Sequence, residues 1–184
     1  MNTLLKCFGV ILMKLLFNEK RKEKYKECHI TFLILKYGRY ILDSDRTQQQ
    51  KQYMQHGNIS VYAHCINVAY VSLFLARYLH LNVNERAIVR GALLHDYFLY
   101  DWHIPEGKKR WHGFTHAKVA LKNAMQEYEL TDKEKDIIEK HMFPMNPALP
   151  KYKESLVVGI ADKICAILET LPVVPFDIHV DLEK

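Results

Sequence analysis

Ten histidines stand among 184 residues, and several have apolar neighbours. His64 shares a helical face with Val61, Val68, Val71 and Leu75, and His95 shares one with Ile88, Gly91 and Ala92. His141 follows Ile137 and Ile138, while Asp162 lies one turn from Val158 on one side and from Cys165 and Ala166 on the other. Side chains three and four residues apart lie on one side of a helix. These polar groups therefore sit on core-facing stripes. An ionised carboxylate in such a place is costly to bury and is ordinarily paired, neutral or metal-bound. Neutral imidazole and carboxylate together are the ligand set for Fe, Mn, Zn or Ni. A lone inward histidine is ordinarily a satisfied core residue. Four or more such groups on separate helices make a metal site if they converge. Periodicity alone leaves both readings open.

The elements that would position them are helical, with no sustained strand alternation. Leu4, Leu5, Phe8, Ile11, Leu12, Leu15 and Leu16 form one stripe of a helix over residues 3–17. That stripe either packs on its own domain, the preferred reading, or lies on a membrane surface. Residues 19–27 mix both signs of charge and read as solvated helix. An apolar stretch covers 29–42, and a polar helix is expected over 46–55 before a break at Gly57-Asn58. Ser60 caps a long helix that carries His64. Asn84 opens the next, which runs into Leu93-Leu94-His95-Asp96. A helix starts near Thr115, and Thr131 with Glu134 makes a capping box for one ending near His141. Pro144, Pro147 and Pro150 enforce a loop, and the last helix covers about 153–170. The expected fold is all-α, a single bundle. Residues 1–45 would be helices packing on the domain, 46–171 the metal-binding bundle, and 172–184 a tail.

The adjacent pair His95-Asp96 carries the argument further. With His64 in YAHCINVAY, His95-Asp96 in GALLHDYFLYDW and Asp162 in GIADKICAIL, the chain resembles the HD superfamily of metal-dependent phosphohydrolases over about residues 55–170. The superfamily signature is His, then His-Asp, then a distant Asp, on an all-α bundle. The resemblance implies a metal held by His64, His95, Asp96 and Asp162. Members of its two-metal branch carry added histidines between the pair and the last Asp. By that resemblance His116, in GFTHAKVA, and His141, in IIEKHMFPM, would hold a second ion with Asp96 bridging. The alternative for His141 is a helix-end histidine favoured by the dipole. The ions would be divalent, Fe or Mn foremost, with Mg, Zn or Ni as alternatives. The expected activity is hydrolysis of a small phosphorylated compound, a nucleotide foremost, by metal-activated water. Rival readings are a di-iron oxygenase on the same ligands and a non-catalytic, metal-stabilised regulatory domain.

The chain departs from the pattern in two places. Met142-Phe143-Pro144 follows His141, where the cyclic-dinucleotide-cleaving HD-GYP subgroup has a second His and later Gly-Tyr-Pro. That substrate is therefore not supported. Tyr97-Phe98-Leu99-Tyr100-Asp101 replaces the Gly-Lys common after the pair, so the proton-handling group is not fixed by resemblance. Asp101 is the candidate, with a plain loop carboxylate as its alternative. His56 and Lys163 are candidates for contact with a phosphate; a loop histidine and a salt-bridged lysine are the alternatives. His103 and His112 flank the basic run Lys108-Lys109-Arg110, which would attract an anion or be merely solvated.

Composition narrows the rest. Only 7 Gly and 6 Pro leave little for a turn-rich β architecture. Lys and Arg outnumber Asp and Glu by 26 to 21, or +5, which permits an anionic substrate without pointing to duplex nucleic acid. Cys7, Cys28, Cys65 and Cys165 form no Cys-x-x-Cys pair, so they read as free thiols in a reducing cytosol and the expected location is cytoplasmic. Lys6 and Lys14 interrupt the N-terminal apolar run, so no transmembrane segment is expected. The oligomeric state is left open. One energetic expectation follows from position 162. Without a cation the Asp162 carboxylate should be costly to bury if left unpaired, so metal-free Asp162→Asn should be no less stable than the parent; a paired structural carboxylate is the alternative.

Overall fold

The computed structural model describes residues 22–100 and 112–170, with side chains described over 29–100 and 115–170. The helix expected over 3–17, Asp101, His103, the run Lys108-Lys109-Arg110 and the tail 172–184 lie outside the described residues, as does the side chain of His112.

Seven α-helices and one two-stranded hairpin make up the described residues. Helix α1 (Lys22–Leu42) leads into a short α2 (Asp45–Gln49) and a 3-10 turn, Gln50–Gln52. Strands β1 (Met54–His56) and β2 (Ile59–Ser60) follow, then α3 (Val61–Tyr78) and α4 (Glu85–Leu94). The remaining helices are α5 (His112–Glu127), α6 (Asp132–Lys140) and α7 (Lys153–Thr170).

The polar helix expected over 46–55 is therefore cut short. Helical geometry stops at Gln52, and β1 pairs antiparallel with β2, His56 opposite Ile59. The reason is the turn between them. Gly57 has φ +56, and its absent Cβ would lie 3.1 Å from the Glu169 carbonyl oxygen. A positive φ at the first turn residue suits a tight two-residue hairpin and favours glycine. The turn pulls the preceding segment out of helix and aims Gln55 and His56 inward.

Where the caps were legible, the helices start as expected. Ser60 Oγ accepts from the Ala63 amide at 3.3 Å, and Asn84 Oδ1 from the Ala87 amide at 3.0 Å. At α6, Thr131 and Glu134 exchange both bonds of a capping box. Each cap satisfies amide groups that the first turn cannot pair internally.

Helix α3 is buried on nearly every side, among α1, α4 and α7. An all-round apolar helix belongs at the centre of a bundle, and the His64 side chain is thereby wholly enclosed. Helix α4 packs between α1 and α6, and α6 lies between α5 and α7. Two buried polar ties fix this arrangement. Arg90 on α4 donates to Glu134 at 2.6 Å and to the Glu129 carbonyl at 2.8 Å. Asp136 on α6 accepts from the Lys151 amide and the Ser155 hydroxyl at the start of α7. Helices α6 and α7 approach closely again at Gly159, where a Cβ would lie 3.1 Å from the His141 carbonyl oxygen. That glycine lets His141 come within reach of Asp162, one turn further along α7.

Candidate metal centre

Six side chains expected to ligate metal converge on the bundle interior. His64 comes from α3, His95 from the C-terminal cap of α4 and Asp96 from the residue after it. His116 comes from α5, His141 from the cap of α6 and Asp162 from the middle of α7. All six are buried. The helix ends matter here. His95 and His141 each follow the last helical residue, so their rings stay close to the helix end and Nδ1 meets a carbonyl three residues back. These are Ala92 for His95 at 2.7 Å and Ile138 for His141 at 2.9 Å.

Those contacts decide which nitrogen faces inward. A carbonyl only accepts, so Nδ1 carries the proton in both rings and Nε2 holds the lone pair of the neutral form. His64 follows the same rule with a carboxylate: its Nδ1 lies 2.8 Å from Glu169 Oε2. Three imidazoles thus present Nε2 to one another's neighbourhood while Nδ1 is held from behind. Metal-binding histidines are ordinarily oriented in this manner.

The carboxylate of Asp96 spans the cluster. Its Oδ2 lies 3.4 Å from His95 Nε2 and 3.9 Å from His64 Nε2. Its Oδ1 lies 3.4 Å from His116 Nε2 and 3.6 Å from His141 Nε2. Asp162 Oδ1 completes the first group, 3.1 Å from His64 Nε2 and 3.7 Å from His95 Nε2. His116 and His141 bring their Nε2 atoms to 2.9 Å. His95 Nε2 and Asp96 Oδ1 are buried without a hydrogen-bond partner. Buried polar atoms are ordinarily satisfied, and a cation among these donors would satisfy both. His64, His95 and Asp162 form one group with ligand atoms close enough to share an ion, and His95, Asp96 and His141 form another. The residues present fit a metal.

Without a cation the cluster holds protons. Burial pushes the His64 imidazole down, but hydrogen bonds to Asp162 and Glu169 outweigh it and raise the pKa to about 10. Burial likewise opposes the charge on His95, and the Asp96 carboxylate prevails and holds its pKa well above the usual value. His141 goes the other way. Burial and the nearby charge of His95 push it down to about 3. Burial would raise Asp96, but the surrounding histidines, His95 first, hold it at about 2. Burial would raise Asp162 too, but its hydrogen bond to His64 and the neighbouring His95 hold it well below the usual carboxylate value. Here the structure corrects the sequence. Asp162 is paired without a metal, its Oδ1 3.1 Å from His64 Nε2.

A family model for the HD domain matches residues 61–167. The chain belongs to the HD domain family. No curated protein and no solved structure matches the chain. The HD superfamily is one of metal-dependent phosphohydrolases, and the buried His and Asp groups of this HD domain could hold a metal ion. No helix among the described residues is long and apolar enough to cross a membrane.

The other expected residues fall as follows. His56 is half-buried on β1, its ring edge-on to His64 at 5.3 Å, and burial lowers its pKa. Lys163 Nζ donates to the carbonyls of His141 at 2.8 Å and Gly159 at 3.0 Å. It thereby caps the end of α6 and fixes the backbone behind His141. Sequence reasoning missed four polar residues around the centre. Gln55 Nε2 donates to Asp96 Oδ2 at 2.5 Å and Gln50 Nε2 to the Asp96 carbonyl at 3.1 Å. Glu169 bonds His64, and Asn67 bonds Glu169 at 2.9 Å. Glu169 had a signal, since it lies seven residues after Asp162, two turns along the same face. Asn67 lies three residues after His64 and had the same kind of signal. The glutamines had none, because a hairpin and a 3-10 turn place them.

Proposed function

We propose that this HD domain hydrolyses a small phosphorylated compound, a nucleotide foremost, using two divalent cations, Fe or Mn. His64, His95, Asp96 and Asp162 hold the first ion. His116 and His141 hold the second, with Asp96 shared between them. The observation that carries this reading is the Asp96 carboxylate, whose two oxygens face two different histidine groups. A bound metal would acidify a water and offset phosphoryl charge. The chain's own residues do the rest. The held Nδ1 atoms of His64, His95 and His141 keep the ligand nitrogens fixed. His56, neutral at the edge of the cluster, hydrogen-bonds a phosphate oxygen. Lys163 adds positive charge beside the site and holds His141 in place. Asp101 moves the proton.

The test is metal content of the purified chain, followed by a screen of phosphate esters with added Mn or Fe under air and under nitrogen. Metal-dependent phosphate release, indifferent to oxygen, is the expected result. Oxygen-dependent turnover of an iron form would replace it with the oxygenase reading. Bound metal with no turnover would leave a metal-stabilised binding domain.

A further inference from the structure

We propose that Glu169, clamped by Asn67, is a positioning residue that orients His64 and strengthens it as a metal ligand. The inference rests on the metal reading above. The observation is a buried chain of three side chains. Asn67 Nδ2 donates to Glu169 Oε1 at 2.9 Å, and Glu169 Oε2 lies 2.8 Å from His64 Nδ1. His64 Nε2 then faces Asp162 and Asp96. Both carboxylate oxygens of Glu169 are thus engaged, and His64 and Asn67 are wholly buried.

The arrangement differs from the other two histidines. His95 and His141 lean on main-chain carbonyls, which are neutral acceptors. His64 alone among these three leans on a full negative charge. A carboxylate accepting from Nδ1–H pushes electron density toward Nε2 and so raises its basicity as a ligand. It also fixes the tautomer, because an anionic carboxylate can only accept. Asn67 prevents the carboxylate from rotating away. It can do so because it lies three residues beyond His64 on α3, on the same side of the helix. Glu169 arrives from the last turn of α7, two turns after Asp162. One helix therefore supplies both a ligand and the group that holds a second ligand. Carboxylates that back a ligating histidine typically change metal affinity by about 10- to 100-fold when removed.

The experiment uses the full chain with Mn²⁺ as the probe. Affinity is read by competition with a coloured chelator, and helicity and metal-free melting are followed in parallel. Glu169→Gln keeps the shape and can still accept from Nδ1–H, but it lacks the charge. Glu169→Ala lacks both. We expect Mn²⁺ affinity about 10-fold weaker in the Gln variant and up to about 100-fold weaker in the Ala variant, each with parent-like helicity. Should the Ala variant fail to fold, the Gln variant alone decides. Parent-like affinity in a folded Gln variant, whatever its melting temperature, overturns the positioning role and leaves the metal reading standing. A parent chain that binds no Mn²⁺ overturns both.

Discussion

The two halves of the buried histidine–aspartate cluster are built from the same residue types and behave in opposite ways. On one side, His64 and His95 share space with Asp162 and with Oδ2 of Asp96, and both imidazoles bind protons avidly in the metal-free protein. On the other side, His116 and His141 share one carboxylate oxygen, and His141 sheds its proton readily. The difference is the balance against burial. Hydrogen bonds to Asp162 and Glu169 outweigh it at His64 and the Asp96 carboxylate outweighs it at His95, whereas at His141 burial and the neighbouring charge of His95 outweigh the pull of Asp96 and Asp162. A cation entering the first half must displace protons. One entering the second half meets an imidazole at His141 that is already neutral.

The largest effect should come from removing the residue that both halves share. Asp96→Asn should lose metal from both halves and lower any phosphatase turnover by roughly 10²–10³-fold, while the far-ultraviolet dichroism stays helical. Metal stoichiometry by mass spectrometry checks it. A variant that keeps full metal content means that Asp96 does not join the halves.

A second strong effect should appear in stability, confined to the first half. Asp162→Asn removes one of the two carboxylates paired with the buried His64, leaving Glu169 on the other ring nitrogen. The loss should therefore approach but not exceed that of a fully broken buried pair, about 3–5 kcal/mol. Melting of the chelator-treated protein should show the loss. Metal-free melting temperatures equal to the parent's would mean that His64 is neutral there, and the contrast between the halves would collapse.

Smaller in scope, His141→Ala should cost only the second half. About one metal per chain should remain, and Asp96 with His64 and His95 should still bind it. Equal metal content in variant and parent would reduce the centre to a single ion.

The most modest effect is on pH, and its sign differs between the halves. His64 has a folded pKa of about 10 against an ordinary 6.5. Its contribution is complete below 6.5, so metal-free stability should fall as pH rises from there toward 10. His141 has a folded pKa of about 3 against 6.5. The unfolded chain then binds the extra proton, and stability should fall as pH drops below 6.5. The metal-free melting temperature should therefore peak near neutrality. His141→Gln should flatten the acid side alone. An unchanged acid limb in that variant would place the proton-poor site elsewhere.

The sequence announced these halves unevenly. Core-facing histidines and Asp162 were visible because helical periodicity places them among valines and isoleucines, and Ser60, Asn84 and Thr131 were visible because capping has a local cost and a local remedy. The hairpin was not. Gly57-Asn58 is a local two-residue turn signal, but the strands beside it are only three and two residues long, too short to show alternation, so the break was visible and the pairing was not. Gln50 and Gln55 were hidden for that reason. The pairing of Asp162 with His64 was hidden for another. Periodicity shows that a carboxylate points inward but not which neutralising group arrives from a different helix.

The junction between α6 and α7 is pinned at both of its ends. Asp136 grips the start of α7 through the Lys151 amide and Ser155, and Lys163 grips the His141 carbonyl. The Met142-to-Pro150 segment between them is therefore relieved of setting the distance from His141 to Asp162. Lengthening a surface connection costs little in closure entropy. This crossover is thus a splice point: foreign peptide inserted there, an epitope or a fluorescent reporter, should leave His141 and Asp162 in place. Evolution has the same freedom to vary what overhangs this end of the molecule without rebuilding its centre.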